Sequence, residues 1–364
     1  MTVSLRPDHL DFALRLNAAL AGPGTREHAW SPLSVAGALG LVATGARGAT
    51  RREFEGLLGR DIGGHLAALD DAASDSPDLA SATSLWMRSD LELHAEFESA
   101  VRARPDSAMR RADFAGDPER VRREANAEAA KTTRGMIAEL LLPGDVRASA
   151  QALLLNALWV RMRWSEPFDP AATESAPFHT PSGERRVPMM RRRGRHPYAE
   201  AAGWRMASLP AADDLALDVL LPEDPARDTV PAPEALSALY RAASPTEVDL
   251  WLPRFEARTR TALSAPLAEA GVATAFSDRA DLSGISPRPL RIDEAVHEAV
   301  LRVDEEGAEG AAATAVVMRT VAAVTDRPVR FAADRPFAFV LRRRQAVLFL
   351  GAVAAPADPG PARA

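Results

Sequence analysis

The sequence predicts an α+β fold, and three observations predict it. The first 60 residues and the stretch 117–142 carry helix-type apolar stripes with helix punctuation. From Ala152 onward the apolar residues fall in short runs of strand length. The two kinds of segment do not alternate, which excludes a parallel sheet built from βαβ units. Asp8 opens the first helix, Phe12, Leu16, Ala19 and Leu20 share its stripe, and Gly22-Pro23-Gly24 ends it. Ser31 caps a second helix, with Pro32 at the first helical position, where its missing N–H costs nothing, and Gly45 stops it. Thr50-Arg51-Arg52-Glu53 reads as a capping box ahead of Phe54, Leu57 and Leu58. Asp117-Pro118 begins a long alanine-rich helix reaching Leu142. Ala152–Val160 is apolar almost throughout, as in a strand buried on both faces. Val187–Met190, Leu215–Leu221 and Val248–Leu252 read as further strands, and Thr261–Ala270 as a helix ended by Gly271. Phe337–Leu341 and Ala346–Val353 form a hairpin pattern around Arg342-Arg343-Arg344. The Pro/Ala/Gly-rich stretch 356–364 is expected to be a disordered tail. No repeat or linker divides residues 1–364, so one domain is expected.

Composition excludes several chemistries. The 364 residues include no cysteine, so there is no thiol nucleophile, no Cys-ligated metal and no disulfide framework. A chain this long buries roughly 75% of its unfolded surface and needs no such staple. The seven histidines form no HExxH and no ligand-spaced pair, so no metal and no cofactor are expected. There is no GxSxG elbow, and the glycines of Gly45–Thr50 lie between helices without a phosphate-loop lysine. A net charge of −6 argues against a nucleic-acid partner. The one concentrated basic stretch, Arg185, Arg186, Arg191, Arg192, Arg193 and Arg195, reads first as a solvated loop face. Lys131 is the only lysine, which together with abundant alanine points to GC-rich bacterial coding. Met1–Leu10 lacks a signal-peptide pattern, and no apolar run approaches the roughly 20 residues that span a bilayer. No membrane partner is expected, and the cytoplasm is favoured with secretion left open.

The segment with the strongest signal is 305–317. Glu305-Glu306-Gly307-Ala308-Glu309-Gly310 leads into Ala311-Ala312-Ala313-Thr314-Ala315-Val316-Val317, with strand patterns on both sides. A long loop inside a compact domain is uncommon and usually functional. Asp304–Thr314 resembles the hinge of the serpin family, an acidic pair and a glycine followed by small residues. Ser31-Pro32-Leu33-Ser34-Val35 is similar to the family's SPxS helix start, and Thr44–Thr50 to the segment after it. Asn156-Ala157, Trp164, Phe168, Thr173 and Phe178 match in order, as do Leu252-Pro253-Arg254-Phe255 and Ala275–Gly284. His297, Asp334-Arg335-Pro336-Phe337 and Leu348-Phe349-Leu350-Gly351 complete the series. Glu27, Glu128, Glu298, Ala308 and Gly310 depart from the family's usual residues.

The resemblance implies a large central β-sheet, two smaller sheets, eight to nine helices and an exposed reactive loop at about 305–328. It implies a monomeric suicide-substrate inhibitor of a serine protease, chymotrypsin-like or elastase-like, and no enzyme. The alternative is a serpin-fold protein that binds or stores without inhibiting. Counting from Gly307 by family spacing puts the reactive bond at Val321–Ala322, with Arg319 and Thr320 as neighbouring alternatives. The resemblance makes Ser31, Ser34, Asn156 and His297 a polar cluster where the sheet opens. Trp164, Arg254 and Glu305 are to meet where the loop leaves it. Residues 293–305 have helix propensity, yet the resemblance makes them a strand, with His297, Ala299, Leu301 and Val303 on one face. Inserted as a strand, the loop would turn Ala308, Gly310, Ala312, Thr314 and Val316 inward, none of them charged. No proline interrupts Gly307–Asp326.

Overall fold

The computed structural model describes residues 5–21, 27–76, 79–104, 107–160, 162–225, 230–308 and 327–360. In chain order it begins with α1 (Pro7–Ala21), β1 (His28–Trp30), α2 (Pro32–Gly45), α3 (Gly48–Leu58) and α4 (Ile62–Ala73). Then come β2 (Leu79–Arg88), α5 (Ala95–Ala103), β3 (Ser107–Ala112) and α6 (Pro118–Thr132). Strands follow: β4 (Ala152–Val160), β5 (Met162–Arg163), β6 (Glu174–Thr180), β7 (Gly183–Ala201), β8 (Trp204–Pro210) and β9 (Leu215–Pro222). After α7 (Pro233–Ala242) come β10 (Ser244–Pro253), β11 (Phe255–Ala262), α8 (Ser264–Glu269) and β12 (Glu294–Val303). The chain closes with β13 (Gly307–Ala308), β14 (Val329–Ala332), β15 (Phe337–Arg343) and β16 (Ala346–Val353). The fold is α+β, with eight α-helices among the described residues.

A five-stranded sheet, in the order β11-β12-β4-β2-β3, carries the hinge. Both its faces are covered, which is why β4 is buried at every position. Leu154 and Leu158 face the main core with Ala295, Ala299 and Leu301 of β12. Leu153, Leu155, Val296 and Val300 face the other way, onto Val121, Ala125 and Ala129 of α6. A nine-stranded sheet contains the β15–β16 hairpin, and the long β7 carries β10 on one side and, at its two ends, β6 and β8 on the other. A two-stranded pair, β13 with β5, sits where the hinge begins.

Several local expectations are corrected. The helix from Asp117 stops at Thr132 instead of Leu142, because Arg134 and Gly135 take positive φ. The chain after it is fastened back by Asn126, which bonds both the N–H and the C=O of Leu141. Strand β11 runs to Ala262, so the helix expected from Thr261 shrinks to α8. Helix α3 starts at Gly48, ahead of the expected capping box; Glu53 instead accepts N–H bonds from Ala273 and Thr274. Helix α1 starts at Pro7, and Asp8 pairs with Arg6 from inside its first turn. The arginine stretch is a strand and not a loop. Within β7, Arg191 pairs with Asp249, and Arg192 turns inward over the Phe168 ring at 5.0 Å. The start of the expected disordered tail is pinned: Ala357 bridges Glu256, and Arg302 donates to the Pro359 carbonyl at 2.7 Å. Residues 361–364 lie outside the described residues.

Candidate functional site at the hinge and sheet centre

Strand β12 runs parallel to β4, paired from Glu294↔Leu153 to Ala299↔Leu158. Among the described residues the pairing with β4 ends there; β12 continues to Val303, and the chain then reverses. Asp304 takes the bend: its N–H donates to the Gly307 carbonyl, and its Oδ1 accepts from the Glu306 and Gly307 N–H groups. Gly307 has φ +133°, and a Cβ there would lie 2.0 Å from the Met162 carbonyl oxygen, so only glycine fits. Gly307–Ala308 then pairs antiparallel with Met162–Arg163.

Side chains clamp this turn. The Arg254 guanidinium grips Glu305, with Nε 2.8 Å from both carboxylate oxygens and Nη2 2.6 Å from Oε1. Thr173 Oγ1 donates to Glu305 Oε1 at 2.6 Å. Trp164 Nε1 donates to the Asp304 carbonyl, and the Trp164 and Phe168 N–H groups to the carbonyls of Glu306 and Glu305. The Glu305 side chain is 2% exposed. Burial opposes its ionisation, yet the bonds from Arg254 and Thr173 outweigh burial and hold its pKa below the ordinary value. For Asp304 burial prevails: it pushes the carboxyl up, although the Glu306 and Gly307 N–H groups and Arg302, 4.0 Å away, act in the other direction.

The second locus lies at the middle of the sheet. Register places Thr261, His297, Asn156, Thr83 and Ser107 in one row across the five strands. Neighbours in such a row share a face. The face is the one that packs on the start of α2, where Ser31 Oγ accepts from the Ser34 N–H as an N-cap. The Ser31 N–H donates to His297 Nε2 at 3.0 Å, which fixes the tautomer: Nδ1 carries the proton and donates to Asn156 Oδ1 at 2.9 Å. Asn156 Nδ2 donates to Thr83 Oγ1 and to the Ser34 carbonyl. Complete burial drives His297 down to about 3, so the ring is neutral at ordinary pH.

The structure therefore brings together Trp164, Arg254 and Glu305 at the hinge, and Ser31, Ser34, Asn156 and His297 at the row. Glu306 and Gly307 stand in the turn. Glu309–Thr314, Arg319, Thr320, Val321 and Ala322 lie outside the described residues, as does the side chain of Ala308. Thr83 and Ser81 were not singled out from sequence; short polar residues alternating on Ser81-Ala82-Thr83 were the available signal. Two departures from family usage find partners: Glu298 lies 3.2 Å from Arg258 and Glu128 2.8 Å from Arg110.

The serpin (serine protease inhibitor) family model matches residues 8–356. The chain belongs to the serpin family. It is 32% identical to Iris of Ixodes ricinus over 97% of this chain and 99% of that one. It is 32% identical to the leukocyte elastase inhibitor of Bos taurus, over 90% and 92% of the two chains. In structure this serpin is similar to human thyroxine-binding globulin complexed with its ligand, with a TM-score of 0.84, 23% identity and coverage of 97% and 98%. Uncleaved ovalbumin is similar too, at a TM-score of 0.83 and 23% identity over 97% and 100%. These two likenesses speak to the fold alone.

Proposed function

We propose that this serpin is a suicide-substrate inhibitor of serine proteases. One observation carries the reading: the hinge leaves β12 by folding back, and Gly307–Ala308 runs antiparallel to Met162–Arg163 beyond the top of β4. Because β12 and β4 are parallel, a strand continuing that direction would lie antiparallel to both. Its insertion exchanges one parallel ladder for two antiparallel ones, the more stable kind per residue. The sequence beyond the hinge suits this, with small residues at the inward positions and no proline before Pro328.

The chemistry belongs to the protease. Its serine oxygen attacks the carbonyl of Val321, the peptide bond to Ala322 breaks, and the new amine takes a proton from the protease's histidine. The ester left on Val321 would hydrolyse in a substrate. Here the freed hinge enters the sheet first and carries the acyl-enzyme away from its active geometry. A small apolar residue at the bond suits an elastase-like or broad chymotrypsin-like protease, and likeness to a leukocyte elastase inhibitor supports that choice. Arg319–Thr320 and Thr320–Val321 are the neighbouring bonds. The protein acts as a monomer, since one chain supplies both loop and sheet. Likeness to thyroxine-binding globulin means that fold alone does not separate inhibition from ligand carriage; hinge composition favours inhibition. The test is incubation with an elastase, followed by boiling in detergent and electrophoresis. A covalent band and a released peptide beginning at Ala322 are expected. A cut outside 319–322 overturns the bond assignment, and a cut loop with no covalent band overturns inhibition.

A further inference from the structure

We infer that this serpin holds a small anion in a cavity at the edge of its five-stranded sheet. The cavity, about 30 Å³, lies between α2, α4, β2 and the junction of α5 with β3. Arg104, just past the end of α5, lines it with Asp70, Ser34, Ser81, Thr83 and Ser107. Thr83 and Ser107 are two members of the polar row, so the cavity continues the row toward its outer edge.

Its lining has a surplus of donors. Arg104 Nη2 donates to Asp70 Oδ1 at 2.7 Å, while Nε and Nη1 are buried with no hydrogen-bond partner among the described residues. Thr83 Oγ1 receives the Asn156 N–H, which leaves its own hydroxyl proton to place. Ser34 and Ser81 stand 3.3 Å apart, so one of their two hydroxyl protons is used on the other and the second is left over. Ser34 lies in the first turn of α2, whose N-terminal end adds positive potential. Buried N–H groups of a guanidinium left unmatched are costly. A water molecule would accept from some of these groups but bring two more protons that need acceptors. An anion accepts only. A single water needs roughly 10–15 Å³, so this space has room for a halide-sized ion. Bound there, the ion would fasten β2 and the α5–β3 junction to α2. On the inhibitor reading, that contact would also hold the sheet closed before cleavage.

The experiment is a crystal of the intact protein grown with bromide in place of chloride. An anomalous peak within hydrogen-bond reach of Arg104 Nε and Nη1 is expected. A companion measurement compares Tm in sodium chloride with Tm in sodium gluconate at equal ionic strength. Chloride should raise Tm by a few degrees, and Arg104→Lys, which keeps a cation for Asp70 but removes the free fork, should abolish the difference. Non-anomalous water density beside Arg104 with bromide bound only elsewhere, or a Tm indifferent to the anion, overturns the site. Neither measurement involves a protease, so a failure of the inhibitor reading would register separately.

Discussion

The hinge clamp and the polar row both act on β12, and they are built from opposite materials. The clamp is ionic: a nearly buried carboxylate, Glu305, held by Arg254 and Thr173. The row is neutral: His297, Asn156, Thr83 and the N–H of Ser31, bonded in sequence under α2. A buried ion pair adds little net stability when intact but is costly to break on one side, because the other charge is left in low dielectric. A neutral network loses less per partner, and it loses it differently with pH. One strand thus has a charge-dependent fastening at its end and a proton-sensitive one at its middle.

The largest effect would come from removing the need for either. Nicking the reactive loop with a protease that is not trapped should raise Tm by more than about 10 °C, a gain of several kcal/mol, if the freed hinge enters between β4 and β12. A melting curve of cut against intact protein checks this, and an unchanged Tm would leave both fastenings as permanent structure. Next comes Glu305→Lys, which sets two cations face to face at the turn. Stranding Arg254 should cost about 3–5 kcal/mol, and the variant should polymerise on mild warming. Native electrophoresis after heating would show it, and monomer throughout would mean that the clamp does not hold the hinge.

At the row, His297→Ala leaves the Ser31 N–H and Asn156 Oδ1 buried without partners, at about 1–3 kcal/mol each. Chemical denaturation measures it; a loss below that range would show that the row is packing and not bonding. Acid separates the two loci further. His297 and His9 are driven by burial down to about 3, and His196 to about 4. Between those values and the ordinary 6.5 the unfolded state binds the extra proton. Stability is therefore full above the ordinary value and falls as pH drops through the window, by up to about 1.4 kcal/mol per pH unit for each ring. Glu305 has its pKa lowered, so the clamp stays ionised over most of that window. Tm at pH 5 should lie below Tm at pH 7, and His297→Gln should flatten the slope; an equal slope in the variant would remove the row from the explanation. The smallest effect is expected away from both loci. Arg110–Glu128 is a partly exposed pair, and Glu128→Ala should cost under about 1 kcal/mol.

Residues with a local physical reason were legible in the sequence. Ser31-Pro32 could be read as a helix start because cap and proline act within one turn, and the structure places both there. Ala152–Val160 announced a strand covered on both faces by being apolar throughout. The small-residue hinge stood out because a long stretch without large side chains between strands is rare.

Tertiary structure decided the rest. The alanine-rich segment after Asp117 has helix propensity to Leu142, but positive φ at Arg134 and Gly135 and the bonds from Asn126 to Leu141 end the helix ten residues sooner. Glu53 fits a capping box by spacing, but Ala273 and Thr274, far along the chain, offer it N–H groups, and α3 begins without it. Glu294–Val303 favours helix by composition and becomes a strand because β4 and β11 flank it. Asn156 and His297 are 141 residues apart and meet only through strand register. Arg254 and Glu305 likewise meet only when β10 and β12 bring their ends together. A sequence specifies its turns and caps through neighbours a few residues away. Whether a polar side chain becomes a clamp, a row or a buried donor without a partner depends on which distant strand lies beside it, and that is settled only when the sheet has formed.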